Sequence, residues 1–363
     1  MKASRPLPTG EYKVGTKTFT VNTGKKEILD GHTDEIRRLS CRIWYPADAE
    51  DVKDRKKAEY MNREQAKAMK QNYEKRTANG ENVSECYPDA TPAEGKYPLI
   101  IFNHGYTSFK EQNSFLCLDL VSHGYVVVTF EHPYESSVTV YDDGTVLKKD
   151  KKITKRNTQP FIPGLIAMIR MIKKKGTDEE LFRSFDAFQH KYSSFMIGRL
   201  NDWAEDTEIV REYVLQNYAD ILDLPAGIGL TGHSFGGDTA YALCRTTDHY
   251  KCGINIDGGL FGEFGDTVLR HPFMNITSEE NYKVVTRCYL DIHSDVYSAV
   301  FKQMKHLGFT DLKFAIPFSV GKLPPEIMHT NLCKCHLLFF DKYLKGRDVD
   351  MKIRDENVTL VKR

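Results

Sequence analysis

The chain has 363 residues, with 51 Lys and Arg against 50 Asp and Glu for a net charge of +1, and is 40% apolar and 11% aromatic. That balance belongs to a globular protein, excludes disordered and fibrous architectures, and leaves no whole-protein electrostatic footprint for nucleic acid. No run approaches 18 apolar residues, so no spanning helix is expected. Residues 1–6 lack the apolar core of a secretory signal, which gives a cytoplasmic expectation, with secretion the alternative if a signal has been trimmed.

In chain order, 17–21 and 39–45 read as antiparallel edge strands. Residues 51–95 read as a polar insertion, helix-forming over 63–75 and then rich in Pro, Gly and Asn. From about residue 97, short apolar runs alternate with helical stretches: strands at 99–102 and 125–130 enclose a helix over 114–122. Residues 145–200 form a helical insert, a candidate cap, that begins with a basic run over 148–156 in which six of nine residues are Lys or Arg. Within it, Leu165, Met168, Ile169 and Ile172 share one face of a helix flanked by Arg170 and Lys173, Lys174 and Lys175. Such a helix either packs over the core with a solvated rim or caps a site and touches lipid, which makes 148–175 a candidate peripheral membrane contact. Helices follow over 200–217, 236–246 and 331–344, and strands at 228–231, 252–256, 273–276 and 284–292. Continuous apolar runs suit strands buried on both faces, and their alternation with helices predicts one α/β domain over 1–363. Its sheet is expected to be mostly parallel, with helices on both faces.

The strongest chemical signal is Gly232-His233-Ser234-Phe235-Gly236-Gly237, which follows an apolar strand and opens a helix. A sharp strand-to-helix turn strains the serine backbone and crowds its neighbours, so small residues flank it and the hydroxyl stands exposed above the sheet. A serine hydroxyl is a weak nucleophile and needs a base to take its proton and an acid to orient that base. Asp257, at the end of the 252–256 strand, is the leading acid, and Glu279, after the next strand, is its rival. His293, just past the expected 284–292 strand, is the leading base, with His329 as the alternative. An oxyanion needs two backbone donors, for which the amides of Phe235 and of Tyr106, in the loop Asn103-His104-Gly105-Tyr106, are positioned. Eight cysteines scattered through apolar stretches read as buried thiols. Cys333 and Cys335, with His336 adjacent, fall short of zinc-knuckle spacing, so neither a metal nor an organic cofactor is expected.

The runs Pro98-Leu99-Ile100-Ile101-Phe102-Asn103-His104-Gly105, Asp119-Leu120-Val121-Ser122-His123-Gly124-Tyr125-Val126-Val127 and Glu131-His132 resemble the platelet-activating factor acetylhydrolase family of α/β-hydrolases. The Ser234 elbow matches that family's, and Pro272-Phe273-Met274-Asn275-Ile276-Thr277-Ser278-Glu279 is similar to the strand that follows its acid. The resemblance covers roughly 95–140 and 200–345 and implies calcium-independent hydrolysis of short or oxidised acyl esters on phospholipids. It assigns catalysis to Ser234, Asp257 and His293 and the oxyanion hole to Tyr106 and Phe235. Tyr106 stands where lipid-active members usually carry leucine, the interval from Asp257 to His293 is short, and the 145–200 insert has no counterpart. A carboxylesterase on soluble or polyester substrates and a non-catalytic binding homologue are the alternative readings.

Overall fold

A computed structural model describes residues 5–29, 31–156, 161–290, 292–317 and 319–363. They pack as two compact units, one of residues 6–154 and 206–225 and the other chiefly of residues 155–205 and 226–363.

In the first unit β1 (Lys13–Lys26) and β2 (Ile36–Ala47) form an antiparallel pair whose register shifts between Asn22 and Lys26. The short β3 (Tyr87–Pro88) runs parallel to β1, and β4 (Leu99–Asn103) runs parallel to β5 (Val126–Glu131). Because β5 pairs antiparallel with β2, the strands lie in the order β4-β5-β2-β1-β3. The buried runs on β4 and β5 place Ile100, Ile101, Phe102, Val127 and Phe130 at 0% exposure. Each such side chain contributes about 1.5–3 kcal/mol when taken out of water. β6 (Val138–Val140) and β7 (Val146–Lys148) make a separate hairpin.

The polar insertion is woven into this unit's edge. It supplies β3, and its Val52 and Ala90 pack with Ala47. The single helix expected over 63–75 is two, α1 (Arg63–Ala68) and α2 (Tyr73–Ala78). Lys70 takes the left-handed conformation between them (φ 54°), and the Asn72 side chain caps α2 by accepting the Lys75 N–H. A strong N-cap residue within a helix-forming stretch starts a new helix rather than extending the old one. α3 (Ser114–Ser122) lies where expected, and α4 (Lys151–Arg156) carries part of the basic run.

The second unit begins with α5 (Phe161–Lys173), α6 (Asp178–Tyr192) and α7 (Ser194–Asn217), the last continuing into the first unit. β8 (Ile228–His233) leads directly into α8 (Phe235–Thr246), and β9 (Cys252–Ile256), β10 (Phe273–Ser278) and β11 (Val296–Phe301) follow. β8, β9, β10 and β11 are parallel in that order, so their carboxyl ends share one edge. β12 (Val358–Lys362) closes the outer side antiparallel to β11, after α9 (Leu312–Ala315) and α10 (Pro325–Tyr343).

One expectation for this unit fails, and one of the two readings of the insert's amphipathic helix gains support. Among the described residues the strand expected over 284–292 does not form: Asn281–Tyr289 is a 3-10 helix, and the last parallel core strand is β11. The apolar residues here are buried as Val284 and Val285, then Cys288 and Tyr289, a spacing of four that belongs to a helical face rather than a strand. On α5, Met171 is buried and Gly164 lies against the Tyr192 ring, whereas Ile166, Met168 and Ile169 are 44%, 38% and 42% exposed. Met168 and Ile169 therefore do not face the core. The side chains of Leu165 and Ile172, like residues 157–160 of the insert, lie outside the described residues.

The insert is nonetheless tied down through α6. Its start carries a capping box, Thr177 with Glu180, and Phe185 packs against Phe261 with ring centroids 5.1 Å apart. Gln189 accepts the Gly262 N–H at 3.0 Å. Arg287 donates to the Gly262 carbonyl at 2.8 Å and lies over the rings of Phe182 and Phe264. The 145–200 segment is thus fastened to the loop that follows Asp257.

Candidate active site

Ser234 sits where β8 turns into α8, at φ 57° and ψ −125°. A non-glycine residue in that region costs about 1–3 kcal/mol and persists only where its surroundings hold it there. Here the Ser234 N–H donates to the Ile256 carbonyl at 2.8 Å, while its own carbonyl accepts from Gly237 and Asp238. A Cβ on Gly237 would stand 2.0 Å from Asn255 Oδ1, so a side chain at that position is excluded by close packing. Although Ser234 occupies the N-cap of α8, its hydroxyl makes no capping bond. It is turned away from the helix and lies 2.9 Å from His306 Nε2.

His306 completes a chain of hydrogen bonds. Its Nδ1 is 2.9 Å from Asp257 Oδ2, so Nδ1–H donates to the carboxylate and Nε2 accepts the serine O–H. Asp257 is 2% exposed and sits at φ 57° just past β9. Its Oδ1 accepts the Ser278 N–H and its Oδ2 the Asn281 side-chain amide, both at 2.7 Å. A buried carboxylate with these donors keeps its orientation. The side chain of His306 is 40% exposed, leaving the serine end of the array open to a substrate.

This geometry replaces the expected base. His293 is exposed and lies three residues before β11, at the amino end of the strand. His306 lies five residues after that strand, on the edge shared by Ser234 and Asp257. A six-residue strand spans about 20 Å, so a histidine at its start cannot reach a serine beyond the far ends of its neighbours. The sequence reading missed His306 because it assigned the last strand one element too early. The signal was present in the β-branched and aromatic run Val296-Tyr297-Ser298-Ala299-Val300-Phe301, with a histidine shortly after it.

The rivals have other employment. Glu279 Oε2 accepts the Gln303 N–H at 3.1 Å and so braces the loop that carries His306. His329 is buried on α10 against Phe314 and Cys333. His233 donates Nε2–H to the His306 carbonyl at 2.9 Å, with the two rings 4.7 Å apart. Cys333 and Cys335 are buried on α10, and His336 spends Nδ1 on the Leu332 carbonyl and Nε2 on Thr231.

Phe235 supplies the first amide of α8, next to Ser234, and its ring is buried against Trp203 at 4.8 Å. Tyr106 follows β4 in the first unit. In its loop the Gly105 N–H donates to Gln112 Oε1 at 3.1 Å, His104 Nδ1–H donates to the Gly105 carbonyl at 2.7 Å, and His104 Nε2 meets the Ser136 hydroxyl at 2.9 Å. Burial, with His132 nearby, pushes the His104 imidazole down to about 3, so it is neutral. The residue with positive φ in this loop is Thr107 (61°), not Gly105.

The sequence model of the family described as "Platelet-activating factor acetylhydrolase, isoform II" matches residues 2–330. A guinea pig (Cavia porcellus) platelet-activating factor acetylhydrolase is 24% identical over 93% of this chain and 78% of its own length. A bovine (Bos taurus) one is 27% identical over 63% of this chain, spanning about half (51%) of that relative. Among solved structures, a ferulic acid esterase from Streptomyces cinnamoneus superposes with a TM-score of 0.75 over 99% of both chains at 19% identity, a likeness of fold. With its family model matched over nearly the whole length, the chain belongs to the platelet-activating factor acetylhydrolase isoform II family, serine ester hydrolases of the α/β-hydrolase fold.

Proposed function

We propose that this protein cleaves short or oxidised acyl esters of phospholipids through an acyl-enzyme on Ser234, with His306 as general base and Asp257 as its orienting acid. The observation that carries the reading is the unbroken array Ser234 Oγ–His306 Nε2 and His306 Nδ1–Asp257 Oδ2, each contact 2.9 Å. Ser234 attacks the ester carbonyl as its proton passes to Nε2, and the imidazolium so formed faces the buried Asp257 carboxylate. The oxyanion is received by the Phe235 amide at the positive end of α8, and the family resemblance supplies Tyr106 as second donor. The imidazolium then protonates the leaving alcohol, and His306 activates water to release the acid.

The substrate class rests on the relatives: the guinea pig and bovine proteins carry the acetylhydrolase name, and a fungal relative from Arthroderma benhamiae, 22% identical over 47% of this chain, is a "Probable 1-alkyl-2-acetylglycerophosphocholine esterase". A panel of p-nitrophenyl esters from acetyl to palmitoyl, run beside a short-chain phospholipid below and above its critical micelle concentration, tests it. Preference for short acyl chains with a rise in rate at micelle formation supports the lipid reading. Flat behaviour points to a soluble carboxylesterase, and no turnover of any ester to a binding homologue.

Peripheral contact with a lipid surface is part of the proposal. On α5 the exposed Ile166, Met168 and Ile169 stand among Arg170 and Lys173, the pattern of an interfacial helix. No described helix is long and apolar enough to cross a membrane. Binding to anionic vesicles should fall with salt and with Arg170 and Lys173 changed to Gln; binding that survives both removes this element. A cytoplasmic setting is proposed on the eight cysteines, all buried free thiols, and fractionation of cells expressing the tagged protein tests it.

A further inference from the structure

The turn that carries Asp257 is strained at both ends. Asp257 and Leu260 both adopt positive φ, 57° and 53°, with Gly258 and Gly259 between them. Two non-glycine residues in that region are strained and need external fastening. Asn255 supplies one fastener: its Oδ1 accepts the Gly258 N–H at 2.9 Å, and its Nδ2 donates to the Gly258 carbonyl at 3.2 Å and to Asn275 Oδ1 at 3.1 Å. The other comes from the elbow side. Asp238, on the first turn of α8, is 1% exposed, and its Oδ1 accepts the Leu260 N–H at 2.7 Å.

The same residue is tied to the serine, since the Asp238 N–H donates to the Ser234 carbonyl at 3.1 Å. A Cβ on Gly258 would stand 2.4 Å from the Ser234 carbonyl oxygen and 2.5 Å from Asp238 Oδ1, so elbow and acid turn are in close contact with Asp238 between them. A bare carboxyl inside a folded domain with no cationic hydrogen-bond partner is a costly choice for a structural fastener alone.

We propose that Asp238 is a positioning residue for the Ser234–His306–Asp257 array, holding the strained acid turn in register with the nucleophile elbow. Burial pushes its carboxyl up to about 7, with the Leu260 amide and the charge of His306 acting in the opposite direction, and in either protonation state an oxygen remains to accept the Leu260 N–H. The inference rests on Ser234 being the nucleophile of an ester hydrolase.

The test is made on the full chain with Asp238→Ala and Asp238→Asn, by p-nitrophenyl acetate kinetics across pH, thermal melting, and mass-detected labelling by an organophosphonate. Misplacing a catalytic group by about an ångström costs on the order of 100-fold, so Asp238→Ala should lower kcat by about 30- to 100-fold with KM nearly unchanged. Asp238→Asn keeps the oxygen that accepts the Leu260 N–H and should recover most of that loss. A folded Asp238→Ala with kcat within twofold of wild type overturns the proposal. Should Asp238→Ala fail to fold, Asp238→Leu, which fills the space without offering an acceptor, takes its place, and a folded Asp238→Leu with kcat within twofold of wild type overturns the proposal. Wild-type protein that takes no phosphonate on Ser234 refutes the esterase reading itself, whereas labelling of wild type and Asp238→Ala at one rate refutes only the role of Asp238.

Discussion

Two of the aspartate–histidine pairs among the described residues, Asp257–His306 in the second unit and Asp206–His132 in the first, have surroundings that make them different devices. In the second unit Asp257 meets His306 at 2.9 Å, with the histidine 40% exposed and its far nitrogen on the Ser234 hydroxyl. In the first, Asp206 meets His132 at 2.7 Å, but both are buried and Arg37 bonds the same carboxylate through two nitrogens. Burial lowers the His132 imidazole, and the Arg37 charge lowers it further against the pull of Asp206. Burial alone would raise the Asp206 carboxyl, yet Arg37 and His132 together hold it well below the ordinary carboxylate range. One carboxylate is committed to a permanent cation and stiffens a core; the other faces no guanidinium and can stabilise an imidazolium that forms during turnover. A contact alone does not mark a catalytic pair, because access and the neighbouring charge decide its use.

That contrast can be broken at several points. Replacing Ser234 or His306 by Ala should lower kcat by about 10⁴- to 10⁶-fold, whereas His293→Ala and His132→Gln should leave the rate per folded molecule within about threefold. Asp257→Asn keeps the shape of the site but lets the imidazole take the wrong tautomer, and kcat should fall by about 10⁴-fold. Asp206→Ala has the opposite signature: it leaves Arg37 buried with Glu27 as its remaining carboxylate partner, and urea titration should show a loss of about 3–5 kcal/mol. Its rate per folded molecule should be nearly unchanged, and a large fall in kcat without a loss of stability would erase the distinction.

A gentler probe is pH. His104 and His132 are both held neutral by burial, His104 down to about 3, so the unfolded chain binds more protons than the folded one below the ordinary histidine range. Stability is therefore full above a pH of about 6.5 and declines as pH falls from there toward the folded value near 3. The melting temperature should drop between pH 7 and pH 5, and His104→Gln should flatten that slope. A melting temperature that rises on acidification would contradict the assignment of neutral, buried rings.

Much of this was legible in the sequence for physical reasons. The elbow could be read because a strained strand-to-helix bend demands small residues around one serine, and Gly237 indeed has no room for a side chain. Asp257 could be read because it closes a buried strand directly before two glycines. His306 was masked, although the run before it carried a strand signal, because Val284, Val285, Cys288 and Tyr289 form an apolar cluster in which composition suggests a strand and only the spacing reveals a helix. That displaced the last core strand by one element and drew the base to the wrong end of β11. The two readings of α5 stayed open in the sequence for a related reason: amphipathic spacing identifies a helix but not whether protein covers its apolar face. Asp238 carried no sequence signal, since its role depends on a turn 22 residues away.

The central claim is that Ser234 draws its reactivity from His306. An organophosphonate offered to wild type, His306→Ala and His293→Ala, with adducts counted by intact mass, tests it most directly. The account predicts one adduct on Ser234 in wild type and His293→Ala at similar rates, and labelling slowed at least a thousandfold in His306→Ala. Labelling of His306→Ala at the wild-type rate, or loss of labelling in His293→Ala alone, would contradict it.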